Sequence, residues 1–349
     1  MTKMPFAEKP FLNALRNLAP SPPPIWLMRQ AGRYLPEYRA IRAGCANFLD
    51  LCYSPDKATE VTLQPIERFH FDAAIIFSDI LVIPHALGRD LTYRDGEGPR
   101  MTPLRNRSDL LSLTKTGVLD RLAPIFETTR RTAKALSSNT ALIGFAGAPW
   151  TVACYMVEGQ GSKEFNAVRR MAYGEDALFQ ELIDILVDVT ADYLGGQILA
   201  GAEAIQIFDS WAGLLPEKPF RRWSIEPTKR LIDKLKGRFP DVPIIGFPKG
   251  AGPMLSAYAE ESGVTAIGLD QTAPLGWALK EIPSHIVLQG NLDPALLLVG
   301  GRALDDGIDD ILEKTKNRAF IFNLGHGILQ ETPLDHVQQL VERIRKSRI

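Results

Sequence analysis

The stretch AAIIFSDILVIPHALG, from Ala73 to Gly88, decides the fold class. It opens with five consecutive apolar residues and then changes abruptly to Ser78-Asp79. A strand with one face in water alternates apolar and polar residues, whereas a continuous apolar run is typical of a strand buried on both faces. Such strands are usually parallel and covered by helices. The stretch therefore predicts an α/β protein with a parallel sheet.

Runs of the same kind recur along the chain between longer segments with helical patterns. The predicted strands are Ile25–Met28, Ala73–Phe77, Ala141–Phe145, Ala204–Phe208, Pro243–Phe247, Ala266–Leu269, Ile286–Leu288 and Phe320–Phe322. The first has the weakest pattern, because it is short and follows three prolines. Eight strands alternating with helices, without a linker, predict one (β/α)8 TIM barrel over residues 1–349. A doubly wound open sheet is the alternative on pattern alone.

The connecting segments carry their own signals. Between the third and fourth runs, an apolar stripe from Leu178 to Tyr193 predicts a helix whose other face carries three aspartates, namely Asp184, Asp188 and Asp192. Thr332-Pro333 predicts a capped start for the C-terminal helix. The polar segment from Arg89 to Arg107, rich in glycine and arginine, predicts a long surface loop.

Polar or small residues follow nearly every predicted strand. They are Arg29, Ser78-Asp79, Gly147-Ala148-Pro149, Asp209-Ser210, Lys249-Gly250, Asp270, Gln289-Gly290-Asn291 and Asn323 to His326. In TIM barrels the active site lies at the C-terminal ends of the strands. We therefore expect the active site at this rim.

The overall composition argues against several classes of partner. The 40 basic and 41 acidic residues nearly balance, so nothing attracts nucleic acid or anionic lipid in general. The three cysteines are odd in number and lack CxxC spacing, which is typical of reduced thiols in a cytosolic protein. There is no secretory signal pattern and no apolar run of about 20 residues. We expect a cytoplasmic protein that binds neither membrane nor nucleic acid.

The densest cluster of charge is MRQAGRYLPEYRAIR, which begins at Met28. It sets four arginines, Arg29, Arg33, Arg39 and Arg42, against a single acid, Glu37. Guanidinium groups bind carboxylates bidentately, and Gly32 lets the backbone pass close to a ligand. A solvated helix or loop face is the open alternative.

Three further side chains are candidates, each with a structural alternative. Asp79 is a carboxylate at the end of a buried strand, which is costly unless it is paired, ligand-bound or a helix N-cap. Tyr155 offers one hydroxyl after a run of small residues, or it belongs to the core. His326 lies between two glycines after the last strand, or it is structural. Neither HxC nor HxxxH spacing occurs, and no GxGxxG follows a strand, so no metal or dinucleotide site is predicted.

Four segments together resemble the uroporphyrinogen decarboxylase family. They are MRQAGRYLPEYR (Met28 to Arg39), IIFSDIL (Ile75 to Leu81), GAPWTVACYMVEG (Gly147 to Gly159) and NLGHG (Asn323 to Gly327). The likeness implies a single-domain (β/α)8 barrel, usually a homodimer. It implies an enzyme of heme biosynthesis that removes CO2 from the four acetate arms of uroporphyrinogen III, giving coproporphyrinogen III, without metal or cofactor.

The resemblance also implies site residues. Asp79 and Arg29 would be catalytic, with Asp79 facing the pyrrole N–H groups. Substrate binding would involve Arg29, Gln30, Ala31, Gly32, Arg33, Asp79, Tyr155, Ser210 and His326. The proton donor stays open: Arg29 matches a family candidate, yet arginine is a poor acid with a pKa above about 12, and a substrate carboxyl or a bound water are alternatives.

Two other functions use the same scaffold. A cobamide-dependent methyltransferase shares the barrel but needs a thiolate-histidine zinc site, and the missing HxC spacing argues against it. A non-catalytic protein that binds porphyrinogens or polyanions would keep the arginines and lose Asp79, which is present here.

Overall fold

The computed structural model of the chain describes residues 9–94 and 98–347. Its strands are β1 (Ala73–Ile75), β2 (Thr92–Arg94), β3 (Gly98–Arg100), β4 (Ala141–Gly147), β5 (Ala204–Asp209), β6 (Ile244–Pro248), β7 (Ala266–Gly268), β8 (Val287–Leu292) and β9 (Phe320–Leu324). Seven of them form one curled parallel sheet in the order β1-β4-β5-β6-β7-β8-β9, while β2 and β3 form an antiparallel pair. Each strand of the large sheet therefore pairs with the next one along the chain.

Helices cover the sheet between its strands. They are α1 (Pro10–Leu15), α2 (Pro36–Ala43), α3 (Phe48–Cys52), α4 (Pro55–Phe69), α5 (Val82–Ala86), α6 (Arg107–Leu111), α7 (Val118–Ala135), α8 (Pro149–Glu158), α9 (Asn166–Gly174), α10 (Asp176–Leu199), α11 (Glu217–Phe220), α12 (Glu226–Lys236), α13 (Met254–Glu261), α14 (Leu275–Glu281), α15 (Pro294–Val299), α16 (Gly301–Thr315) and α17 (Leu334–Lys346). A core of buried apolar side chains runs from Phe11 to Ile344. No helix in the described ranges is long and apolar enough to cross a bilayer.

The helix predicted after the third strand is confirmed as α10, and its three aspartates have partners. Asp184, Asp188 and Asp192 form ion pairs of 2.7–3.1 Å with Arg230 and Lys234 on α12 and with Arg238 in the turn just after it. A four-residue spacing in both segments keeps the charges opposite each other over two turns. The C-terminal helix is confirmed as α17, but the Thr332 hydroxyl is buried without a hydrogen-bond partner in the described structure and does not cap it.

Seven of the eight predicted strands are confirmed, and the first, Ile25–Met28, is not. Only Ile25 pairs with the sheet, through an isolated parallel bridge to Phe322. The Trp26 N–H donates to Phe322 O at 3.3 Å, but the N–H groups of Ile25, Leu27 and Met28 find side chains instead of a neighbouring strand. Ile25 donates to the Asp72 carboxylate at 2.7 Å, and Met28 donates to the Asn323 side chain at 3.0 Å. The observed sheet is thus curled, parallel and seven-stranded.

Polar side chains link this first segment to the inside of the curl. The Trp26 indole N–H donates to Gln289 Oε1 at 2.9 Å, and Gln289 Nε2 donates to Gln206 Oε1 at 3.3 Å. All three side chains are buried. Buried polar groups need such partners, so the contacts hold the segment before Arg29 against β5 and β8.

The prediction of a surface loop from Arg89 to Arg107 was wrong. The segment contains the β2–β3 hairpin, and its Leu91, Met101 and Leu104 side chains are buried. The Met101 N–H donates to Gly159 O at 2.8 Å, at the end of α8. Residues 95–97 lie outside the described residues. This hydrogen bond to the end of α8 is a tertiary contact, and the polar composition of the segment does not predict it.

Candidate active site

The Arg29 side chain lies where the first and last motifs of the chain meet. Its backbone is left-handed, with φ 62°, a conformation rare outside glycine. A Cβ on Gly32 would lie 2.9 Å from the Arg29 carbonyl oxygen, and a Cβ on Gly327 would collide with the Arg29 side chain. The Ile328 N–H donates to Met28 O at 2.9 Å. These two glycines therefore make room for the turn and for the side chain of Arg29.

The residues after Arg29 have different surroundings. Gln30 is buried; its Oε1 accepts from Leu27 N at 3.0 Å and its Nε2 donates to Ala73 O at 3.1 Å. Gln30 thus supports the turn, and its contact with substrate stays a prediction, as do those of Ala31 and Gly32, which are half-buried.

The arginines of the cluster divide into two kinds. The Arg39 and Arg42 side chains donate to nearby carbonyl oxygens, Arg39 to Arg33 O at 2.7 Å and Arg42 to Cys45 O at 3.4 Å. The exposed side chains of Arg29 and Arg33 make neither an ion pair nor a hydrogen bond within the described chain. Only this second pair is free to meet a ligand carboxylate.

Asp79 follows β1 and is half-buried. Its Oδ1 accepts from the Leu81 N–H at 2.8 Å, which forms an Asx turn before α5. The alternative of a helix N-cap is wrong, because Leu81 is the N-cap of α5 and no side chain caps that helix. The other carboxylate oxygen of Asp79 makes no hydrogen bond within the described ranges. Burial raises the pKa of Asp79, and the Tyr93 hydroxyl, the Leu81 N–H and the Arg29 charge oppose that rise.

Tyr93 on β2 is a site residue that the sequence analysis missed. Its hydroxyl is buried and has no hydrogen-bond partner that meets distance and angle limits in the described chain, yet it lies close enough to Asp79 to lower the pKa of that carboxyl. Its ring packs on Phe48 with a centroid distance of 4.7 Å. The only sequence signal was an aromatic residue inside a polar, glycine-rich segment.

Tyr155 lies on α8 beside the same carboxylate. Its ring packs edge-on against Phe165 at 5.8 Å and against Trp211 at 6.2 Å. Burial raises the pKa of Tyr155, and the Asp79 charge adds to the rise. Ser210 follows the last residue of β5 and is half-buried, and its contact with substrate stays a prediction.

His326 and Lys249 are two further side chains that follow strands of the sheet. Burial, together with the charges of Arg29 and Lys249, lowers the pKa of His326 to about 4. Its Nδ1 is buried and unpaired within the described residues. Lys249 follows β6, and the backbone beside it is held by a hydrogen bond from Gly250 N to Asp270 Oδ2 at 2.7 Å. The sequence marked Lys249 only as a strand end.

The arrangement suits a ligand with several carboxylates. Arg29, Arg33 and Lys249 are cations without an internal ion pair in the described parts of the chain. Within those same parts, His, Cys, Asp and Glu residues form no group of three able to hold a metal ion. The site thus combines cations suited to a polyanion with the half-buried carboxylate of Asp79, on which the Arg29 charge acts.

Comparison with known proteins classifies the chain. The family model described as "Uroporphyrinogen decarboxylase (URO-D)" matches residues 6–347. The chain belongs to the uroporphyrinogen decarboxylase family. The uroporphyrinogen decarboxylase of Rhizorhabdus wittichii is 54% identical over 99% of this chain and 100% of the relative. That of Rhodospirillum rubrum is 52% identical over 98% of both chains. The family resemblance of the sequence motifs is confirmed, and with it the classification among decarboxylases.

Solved structures show the same architecture at low sequence identity. A methyltransferase from Methanosarcina mazei superposes with a TM-score of 0.77 at 17% identity, covering 97% of this chain and 98% of its own. A putative vitamin-B12 independent methionine synthase from Listeria monocytogenes has a TM-score of 0.54 at 14% identity, covering 92% and 95%. At these identities the likeness concerns the fold alone.

Proposed function

We propose that this chain converts uroporphyrinogen III into coproporphyrinogen III by removing CO2 from its four acetate arms, as a step of heme biosynthesis. It acts as a carboxy-lyase without metal or cofactor. The observation that supports this most strongly is the environment of Asp79. This residue is a half-buried carboxylate with one oxygen unused by the described protein, and it lies next to Arg29 and Tyr155.

Loss of CO2 from an acetate arm needs an acceptor for the electron pair, and a protonated pyrrole supplies it. The bond between the methylene and the carboxyl carbon breaks, and its electron pair moves into the protonated ring. The methylene then takes up a proton and becomes a methyl group, while the ring carbon gives its proton back. A fixed carboxylate in a site shielded from water stabilises the ring cation.

Asp79 suits that role for all four rings. A porphyrinogen directs four N–H donors toward its centre, and an ionised carboxylate has about four lone-pair sites on two oxygens. Leu81 N occupies one of these sites, at 2.8 Å, so the four N–H donors share the sites that remain. The same carboxylate can serve whichever ring is protonated, with the substrate turning or rebinding between steps.

The surrounding cations bind the arms of the substrate. Arg29 and Arg33 take carboxylates bidentately, and Lys249 adds a point charge. His326 is neutral at pH 7, because its pKa is lowered to about 4, so it offers one donor and one acceptor to a side arm. Ser210 contributes its hydroxyl. This assignment keeps the substrate contacts predicted from the resemblance and adds Lys249.

We further propose that residues 1–349 form a single domain that closes as a (β/α)8 barrel. In support, the Ile25 segment has hydrogen bonds to both of its neighbours. Trp26 N donates to Phe322 O at 3.3 Å, and Asp72 N donates to Ile25 O at 2.9 Å. The near balance of charge supports the absence of nucleic-acid binding. Membership of the family supports a homodimer, and the three cysteines without CxxC spacing support a cytoplasmic location. Sedimentation of the purified protein tests the dimer.

The decisive experiment is an anaerobic assay of the purified protein after dialysis against a chelator. Uroporphyrinogen III should become coproporphyrinogen III with release of four CO2, at the same rate before and after dialysis. Absence of turnover in both samples would contradict the proposed function. Activity that disappears and returns with zinc would contradict cofactor independence and favour chemistry of the methyltransferase type.

A further inference from the structure

We propose that Tyr93 is a positioning residue for Asp79, whose hydroxyl donates to the carboxylate oxygen that Leu81 leaves unused and aims it at the bound macrocycle. The inference rests on the proposed function, because it concerns the same carboxylate. It adds a residue on a separate hairpin, outside the four motifs that carry the family resemblance.

The first support is the unsatisfied hydroxyl itself. Tyr93 Oη is buried, and no other group of the described residues forms a hydrogen bond with it. A buried hydroxyl without a partner costs free energy, so its persistence next to Asp79 needs an explanation. A hydrogen bond from Tyr93 to Asp79 in the substrate complex supplies that explanation.

The second support is the fixed position of the Tyr93 ring. Thr92 pairs with Arg100 in the hairpin, and the Met101 N–H then donates to Gly159 O at 2.8 Å. Gly159 ends the helix that carries Tyr155. Packing on Phe48 holds the other side of the ring. Tyr93 and Tyr155 thus reach Asp79 from one connected unit.

The third support comes from the other groups around Asp79. Several side chains on the surrounding elements interact electrostatically with Asp79. They are Arg29, Cys52, Tyr53, Tyr93, Tyr155 and Tyr193. The Tyr53 hydroxyl is engaged with His85 Nδ1 at 3.0 Å, and that of Tyr193 lies 3.4 Å from Ser78 Oγ. Burial disfavours the thiolate of Cys52, whose pKa is raised well above its usual range.

The consequence for the reaction follows from the direction of the hydrogen bond. A donor to an ionised carboxylate favours the charged form and restricts its rotation. With Leu81 N on one oxygen and Tyr93 Oη on the other, each oxygen keeps one lone-pair site for the pyrrole N–H groups. Tyr93 therefore keeps Asp79 charged and oriented without touching the reacting carbon.

The test compares Tyr93→Phe with Tyr258→Phe in the full-length enzyme. Tyr258 is a matched control, because its hydroxyl is also buried without a hydrogen-bond partner among the described residues but lies in α13, away from Asp79. Tyr93→Phe should lower kcat by roughly tenfold to a hundredfold with a smaller change in KM. The acid limb of its kcat/KM profile should move to higher pH, because the donor that lowered the pKa of Asp79 is gone. The control should keep the wild-type rate and profile.

A second variant keeps the test independent of folding. Site-specific 3-fluorotyrosine at position 93 makes the hydroxyl a stronger donor, so the acid limb should move to lower pH. A wild-type rate and profile in Tyr93→Phe overturns the inference, as does a slower Tyr93→Phe or fluorinated enzyme with an unmoved acid limb. Failure of the proposed function has a different result, since the wild-type enzyme itself would then form no coproporphyrinogen.

Discussion

Asp79 and Asp209 are two carboxylates in equivalent places, each at the C-terminal end of a parallel strand. Burial raises the pKa of both, to about 6 for Asp209. They differ in their hydrogen bonds. Asp209 is fully buried and accepts from Thr151 Oγ1 and from Ser224 Oγ, both at 2.6 Å. Asp79 accepts within hydrogen-bond geometry only from Leu81 N, considering the described residues.

The difference teaches how to separate a structural acid from a functional one. Position in the fold and a raised pKa are common to both. The acceptor sites of Asp209 are oriented toward two internal hydroxyls, so this residue joins β5 to α8 and to the turn before α12. Asp79 keeps unused acceptor sites beside a cation, and such capacity is what a ligand with N–H donors requires.

The largest expected effect is the difference in turnover between the Asp79→Asn and Asp209→Asn variants. Asp79→Asn keeps the oxygen that accepts from Leu81 N but removes the charge, so kcat/KM should fall roughly 100-fold or more while the fold survives. Asp209→Asn should leave turnover within a few-fold. Anaerobic turnover of uroporphyrinogen, with circular dichroism on each variant, measures both.

Asp79→Glu sharpens the same comparison. It keeps the charge on a longer arm and should retain more activity than Asp79→Asn, although a displacement of about 1 Å can itself cost on the order of 100-fold. Equal kcat/KM for Asp79→Asn and wild type, or an unfolded Asp79→Asn protein, would make Asp79 a structural residue like Asp209.

Arg33→Ala should have the next largest effect. It removes a charge-assisted contact worth roughly 1.5–3 kcal/mol, so binding of the octacarboxylate should weaken about 10-fold to 100-fold, more than binding of the tetracarboxylate product. Arg33→Lys should restore only part of the lost binding, since lysine keeps the charge but lacks the planar fork. Arg302→Ala is the control, at a side chain that is 93% exposed on α16. An unchanged affinity in Arg33→Ala would place the site elsewhere.

Gly327→Ala should act on Arg29, the cation beside Asp79. The new Cβ collides with the flexible Arg29 side chain, so it should displace that guanidinium and lower kcat/KM about 10-fold, with little loss of thermal stability. Gly325→Ala is the contrast, because its Cβ meets the backbone of Gln271 and should lower the Tm instead. The idea fails if Gly327→Ala unfolds the protein or leaves kinetics unchanged.

The smallest effect concerns stability. The folded pKa of Asp209 is about 6, against about 3.9 in the unfolded chain, so folding favours its protonated form. That stabilisation is present below about pH 4 and is lost as the pH rises through about 6. The Tm of Asp209→Asn relative to wild type should therefore increase between pH 4 and 7. A constant difference over this range would show that Asp209 does not titrate there.

Much of the fold followed from local patterns. Seven strands were predictable, because a parallel strand covered by helices shows as a continuous apolar run such as Ala141 to Phe145. The segment Ile25–Met28 was not, since its first and last N–H groups donate to side chains distant in sequence, Asp72 and Asn323. Tyr93 was missed for a similar reason, because only the contact of its hairpin with Gly159 brings it to Asp79.

The sequence by itself determined the family, the parallel α/β architecture and the rim of polar residues at the strand ends. These depend on residue type and on short-range spacing, which the chain carries in linear order. Only the tertiary structure decided which polar groups keep unused hydrogen-bonding capacity. Asp79 and Asp209 look alike in sequence, and Arg33 looks like Arg39. Their partners come from other elements or from the local turn, and whether a partner lies within about 3 Å is a property of three-dimensional packing.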